Sequence, residues 1–197
     1  MTSLENKIAV ITGGGGGIGS EIGRHLSALG ATVVITHLGE SDLDYAERAL
    51  ESFTGTGHLK VQASVDSYED NKRLAATLEE QFGQVDLLVN NAGRMDAVET
   101  GFADAPLDDV LAVVDVNLLG VMRVTHAVLP AMRAAGRGRI INVNSGFAFR
   151  RADVNTGYGI SEGALARFTD LLAPQVDGAG IAVLDVSPGL VRTDMTR

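Results

Sequence analysis

The sequence predicts an α/β fold, a doubly wound parallel sheet arranged as three layers, α/β/α. Three observations carry that expectation. Six short runs rich in Val, Ile and Leu recur along the 197 residues. They are apolar nearly throughout instead of alternating, as strands covered on both faces require. Stretches with apolar residues at three- and four-residue spacing lie between them, and strand–helix alternation repeated this often is the pattern of a parallel sheet. The chain also holds 24 Gly against 4 Pro, which suits many tight strand-to-helix turns.

The elements follow in order. Residues 7–12 read as the first strand, and residues 13–17 are five consecutive glycines ahead of a helix over 18–28. A second strand over 31–36 precedes a helix over 42–53, and a third over 59–65 precedes a helix over 68–82. The fourth strand, 85–91, leads to a long helix over 107–133, and the fifth, 139–145, to a helix over 159–176. A sixth strand covers 181–187. No repeat, linker or domain boundary interrupts the pattern, so one domain spanning 1–197 is expected.

Composition narrows the function. Hydrophobic residues make up 45% and charged residues 21%, the balance of a folded globular chain. A net charge of -9 argues against nucleic acid or an anionic membrane as partner. With no Cys, there is no disulfide framework, thiolate nucleophile or cysteine metal site. His25, His37, His58 and His126 are scattered without ligand spacing, so no metal site is expected. No apolar run approaches the roughly 18 residues of a membrane helix. The N-terminus runs straight into a strand with no signal peptide, so the expected location is cytoplasmic.

The glycine-rich loop is the first candidate site. A strand-to-helix turn of this composition lets backbone N–H groups approach a pyrophosphate at a positive helix end; the bland alternative is a flexible turn. Gly13, Gly17 and Gly19, with Ile18 between the last two, read Thr-Gly-x-x-x-Gly-x-Gly. Further motifs follow: Asn90-Asn91-Ala92-Gly93 closes the fourth strand, and Asn117 lies mid-helix. Ser145 closes the fifth strand with Tyr158 thirteen residues later, and Pro188-Gly189-Leu190-Val191-Arg192-Thr193 follows the sixth. In this set and order the sequence resembles the short-chain dehydrogenase/reductase family, from about residue 7 to residue 195. The resemblance implies a Rossmann-type fold and an oxidoreductase moving hydride between NAD(H) or NADP(H) and a small carbonyl or alcohol substrate.

By that resemblance Tyr158 is the acid/base, Ser145 hydrogen-bonds the substrate oxygen and Asn117 holds a water in the proton relay. Carbonyl reduction does need a proton donor within reach of the developing oxyanion. Asp66 would accept from the adenine amino group, against the plainer reading that it caps the helix over 68–82. Asn91, Ala92 and Gly93 would line the adenosine ribose. Pro188, Gly189, Val191 and Thr193 belong to the nicotinamide end, with Val191 and Thr193 reaching the carboxamide.

The end of the second strand, where NAD-users typically carry Asp or Glu, holds His37. The missing acid makes NADP the expected cofactor and NAD the alternative, with His37, Thr36 and Ser41 as donors to a 2′-phosphate. The plainer reading makes His37 a surface loop residue.

Two departures stand out. The family's Lys, four residues after the Tyr, is here Glu162. Residues four apart share a helix face, so Glu162 is expected beside Tyr158, where a carboxylate opposes the phenolate yet still accepts hydrogen bonds from ribose hydroxyls; the plainer reading turns it into solvent. Turnover is expected to be impaired, and the alternative function is a cofactor-binding regulatory or scaffold protein of the same fold. Family members also continue past this ending, so the resemblance implies a domain lacking the last strand and the substrate-lid helices. The two helices of the family's common dimer match 107–133 and 159–176, and a homodimer is expected.

Overall fold

The computed structural model describes residues 3–97 and 100–193. Six strands form one parallel sheet: β1 (Ile8–Ile11), β2 (Thr32–His37), β3 (Leu59–Gln62), β4 (Leu87–Asn90), β5 (Gly138–Val143) and β6 (Ile181–Val186). Their order is β3-β2-β1-β4-β5-β6. The order reverses between β1 and β4, the topological switch point where ligands bind at the carboxyl ends of strands in such Rossmann-type sheets.

Alternate residues of each strand face opposite sides, and each side has its own core. Ile8 and Val10 join Val34, Leu88, Ile140 and Val183 on one face. That face is covered by α3 (Tyr68–Phe82), α5 (Val121–Ala135) and α6 (Thr156–Val176), through Leu74, Leu78, Val124, Val128, Met132, Leu172 and Val176. Ala9 and Ile11 join Val33, Ile35 and Val89 on the other, under α1 (Gly17–Ala28) and α2 (Glu40–Glu51). β1, β2 and β4 are apolar on both sides because both sides are covered there, whereas β6 leaves Leu184 and Val186 of the second face exposed. Past the end of α2, Phe53 closes the second core, its ring filling the space above Gly23 of α1.

Four expectations need correction. The stretch read as one helix over 107–133 is α4 (Leu107–Val114), a wider π-helical turn (Asp115–Gly120) and then α5. Together these form one apolar stretch, Leu107–Ala135, whose length and hydropathy would suffice to cross a membrane, contrary to the sequence reading. Only part of its apolarity serves the core: Val110, Val113, Val121, Val124 and Val128 are buried, whereas Leu107, Leu111, Leu119 and Met122 are exposed. The third strand ends at Gln62, so Asp66 lies in the following loop. Nor does Asp66 cap α3: Ser67 is the N-cap, its Oγ accepting from the Asp70 N–H at 3.2 Å.

Candidate active site

At the carboxyl ends of the strands lies a cavity of about 810 Å³. Gly13, Gly17 and Ile18 form its floor at the amino end of α1. This helix has no side-chain cap and no acidic residue in its first turn, so its backbone N–H groups face the cavity uncompensated by the chain's own carboxylates. Two glycines are required by the local geometry. Gly13 has φ +60°, the left-handed region. At Gly19, a Cβ would lie 2.6 Å from Asn91 Nδ2 and 2.7 Å from Gly13 O. Gly19 does not line the cavity; its missing side chain lets the loop close down on β4.

That closure is held by side chains. Asn91 Nδ2 donates to Thr12 O at 3.0 Å and Gly13 O at 3.1 Å. Thr12 Oγ1 accepts from the N–H groups of Asn91 and Ala92, each at 3.0 Å, and Thr36 Oγ1 accepts from Gly13 N at 3.1 Å. The loop is therefore a preformed cradle. Asn91, Ala92 and Gly93 line the same cavity, as do Pro188, Gly189, Val191 and Thr193. Asp66 reaches it too, with one carboxylate oxygen accepting from Ser64 Oγ.

His37 is buried, not a surface residue, at 7% exposure on the cavity wall. Its Nδ1 lies 3.4 Å from Gly39 O and 4.0 Å from Asp42 Oδ1. Asp42 and Tyr45 of α2 line the cavity beside it, whereas Ser41 does not. Sequence reading missed Asp42 because it placed the helix start there. The helix begins at Glu40, and Asp42 folds back to accept from Leu38 N at 2.9 Å and Gly39 N at 2.9 Å. An acid three residues into a helix is a capping signal that the sequence does carry.

The other end of the cavity holds Asn117, Ser145, Tyr158 and Glu162. Ser145 follows β5, and its Oγ accepts from Phe147 N at 3.2 Å. Tyr158 stands in the first turn of α6, its ring edge-on to Phe147 with centroids 5.7 Å apart. Burial raises the Tyr158 phenol above its ordinary range, a hydrogen bond with Ser145 opposes that, and the charge of Glu162 raises it further. Asn117 sits in the π-helical turn, 3% exposed. Its Oδ1 accepts from Arg94 N at 2.8 Å, and its Nδ2 lies 2.9 Å from Arg94 O, 3.2 Å from Ser161 Oγ and 3.4 Å from Glu162 Oε1. Its side chain thus straps the loop after β4, a task that the water-holding role did not foresee.

Glu162 does not turn into solvent. It is 4% exposed on the cavity wall, and its Oε2 has no hydrogen-bond partner among the described residues. Burial pushes its carboxyl up from 4.5 to about 7. The Ser145 backbone N–H opposes the rise, the Asp185 carboxylate adds to it and the Asn117 amide opposes it again. Near neutral pH, Glu162 therefore exists as a mixture of carboxylic acid and carboxylate, not as the fixed anion that sequence alone suggests.

Comparison with known proteins bears on the whole chain. A family model described as short chain dehydrogenase matches residues 7–197. An uncharacterized oxidoreductase of Staphylococcus saprophyticus is 32% identical over 197 residues, covering 100% of this chain and 83% of that protein. A 3-oxoacyl-[acyl-carrier-protein] reductase of Synechocystis sp. is 33% identical over 196 residues, covering 100% of this chain and 78% of the relative. The crystal structure of an NAD+-bound xylitol dehydrogenase superposes with a TM-score of 0.88 at 29% identity, over 94% of this chain and 71% of that one.

Proposed function

Because the chain belongs to the short-chain dehydrogenase/reductase family, we propose that it is an oxidoreductase moving hydride between a nicotinamide dinucleotide and a small carbonyl or alcohol. One observation carries the reading: the glycine cradle at α1 and the Ser145–Tyr158 pair at α6 line one continuous cavity. The cradle fits a pyrophosphate, since Gly13, Gly15, Gly16 and Gly17 line the cavity at the uncapped amino end of α1 without side chains to fill it. When bound, the nicotinamide supplies or accepts the hydride.

The chain's own residues handle the proton. In reduction, the Tyr158 phenol donates its proton to the carbonyl oxygen as negative charge develops there, while the Ser145 hydroxyl donates a hydrogen bond to the same oxygen. Oxidation needs the phenolate as base, and burial together with Glu162 opposes its formation. The site is therefore biased towards reduction. Glu162 lines this end of the cavity, and a carboxyl there can still accept from a ribose hydroxyl where the family's cation is missing.

NAD(H) is the favoured cofactor, which reverses the leaning drawn from His37. Among the described residues, the cavity lining at the end of β2 includes the Asp42 carboxylate and no Lys or Arg. A 2′-phosphate there would meet a like charge with no cation to offset it, whereas ribose hydroxyls can donate to Asp42 Oδ2, which accepts one backbone N–H. Homodimerisation is supported by Leu107, Leu111, Leu119 and Met122 on the α4–α5 stretch and Ile160 on α6, all exposed.

A second reading, cofactor binding without turnover, is favoured by one feature, the buried acid where a Lys would lower the phenol. Titration of NADH fluorescence followed by NADH oxidation over a panel of carbonyl compounds separates the two. Turnover that Tyr158→Phe abolishes while NADH still binds is the expected result. Tight binding with no turnover on any carbonyl would establish the second reading, and no binding at all would overturn both.

A further inference from the structure

We infer that Asp96 is the positioning residue for Tyr158, acting as an N-cap supplied from a distant loop. The inference rests on the reading of Tyr158 as proton donor and adds to it the group that holds that residue in place.

A helix leaves its first N–H groups without intrahelical partners, and the residue before it normally satisfies one. α6 has no such local cap. Asn155 occupies the N-cap position in the left-handed region, φ 58° and ψ 48°, and caps nothing with its side chain. Its Oδ1 is buried without a hydrogen-bond partner among the described residues. The first turn of α6 also contains no acidic residue.

Asp96 does the work from the loop after β4, about sixty positions earlier. Its Oδ1 accepts from Gly157 N at 3.1 Å, and its Oδ2 accepts from Tyr158 N at 2.9 Å. Both carboxylate oxygens are thus spent on the backbone of the Tyr and the residue before it. Charge-assisted bonds of this kind, at the positive end of a 21-residue helix, are the stronger sort. The fit depends on residue 157 being Gly, because a Cβ there would lie 2.9 Å from Asp96 Oδ1 and 2.8 Å from Val110 O.

Residues 94 and 97, on either side of Asp96, are themselves tied down. Asn117 holds the backbone of Arg94 from both sides. Asp109 of α4 accepts from the Arg94 guanidinium and from Ala97 N, each at 2.6 Å. A rigid platform built on α4 and the π-helical turn therefore sets the height of the first turn of α6, and with it the reach of the Tyr158 phenol. Arg94 and Met95 on the same loop line the cavity while Asp96 does not, so Asp96 acts through the backbone of Gly157 and Tyr158 and not by lining the cavity itself.

The test compares Asp96→Ala, Asp96→Asn and Gly157→Ala with the wild type and with Tyr158→Phe, measuring kcat and the NADH dissociation constant for each. Asp96→Ala is expected to lower kcat by about 100-fold, the scale of an ångström's misplacement, with NADH affinity within about twofold of wild type. Asp96→Asn, keeping one acceptor oxygen, should fall between, and Gly157→Ala should give the same split by displacing the carboxylate. Independently of turnover, ring-labelled tyrosine NMR, with Tyr158 assigned by Tyr158→Phe, should show its signal moving in Asp96→Ala while those of Tyr45 and Tyr68 stay. An unmoved Tyr158 signal, or kcat retained in Asp96→Ala while Tyr158→Phe is dead, would overturn the role of Asp96 and leave the function intact. Equal losses of kcat and NADH binding would make Asp96 merely structural, which also overturns it. Full turnover in Tyr158→Phe would instead overturn the functional reading beneath it.

Discussion

Replacing Glu162 by Gln should make this protein's stability far less dependent on pH. The Glu162 carboxyl is 4% exposed and held at about 7 against an ordinary 4.5. Below pH 4.5 the group is protonated in folded and unfolded chains alike, and its burial costs little. Between 4.5 and 7 the unfolded chain releases the proton and the folded chain keeps it, so stability falls as pH rises. Above about 7 the full difference is lost, about 3 kcal/mol at roughly 1.4 kcal/mol for each pH unit between the two values. Gln is nearly isosteric and its amide oxygen still accepts from Asn117 Nδ2, but it carries no charge to bury. Asp185, which burial also raises, is present in both proteins, and its repulsion with Glu162 is part of the difference that the substitution removes. Urea denaturation of both proteins at pH 5.5 and pH 8.5 reads the difference directly. The Gln variant should gain about 2 kcal/mol relative to wild type between those two values, the part of the fall that lies above pH 5.5. Parallel pH dependence in the two proteins would refute the reasoning, because the carboxyl would then be solvated in the folded state.

Two further outcomes test the site. Glu162→Lys should raise the rate of alcohol oxidation and move the basic limb of its pH profile to lower pH, because an ammonium replaces a carboxylate beside the same phenol; an unchanged profile across pH would mean that residue 162 does not act on Tyr158. Side-by-side dissociation constants should favour NADH over NADPH, and Asp42→Ala should cut that preference by about tenfold, or about 1.4 kcal/mol; a wild-type preference for NADPH would show that the Asp42 carboxylate does not face the ribose.

The motifs and their spacing were legible because they are local or depend only on strand order. The glycine-rich turn, the Asn closing β4 and the Ser and Tyr after β5 arrive at one end of the sheet once the strands are parallel, since every strand then delivers its carboxyl end to the same edge. Helix starts were less secure. Placing the second helix at residue 42 instead of Glu40 hid Asp42, an acid that lines the cavity beside His37. The π-helical turn was not legible, because the apolar spacing of 107–133 continues through it; only the contacts of Asn117 with Arg94 and Glu162 reveal its use.

By itself the sequence determined the order of elements, the apolar character of the strands and the motifs that line the cavity, because periodicity, glycine placement and motif spacing are properties of neighbouring residues. The tertiary structure decided what those residues are chemically. Glu162 becomes a proton-holding acid only because α6 packs it away from water beside Asn117 and Asp185. Asp96 becomes a cap for Tyr158 only because a loop anchored on Asp109 and Asn117 reaches across to α6. Desolvation and long-range hydrogen bonding depend on which distant elements meet, and no pattern among neighbouring residues encodes that meeting.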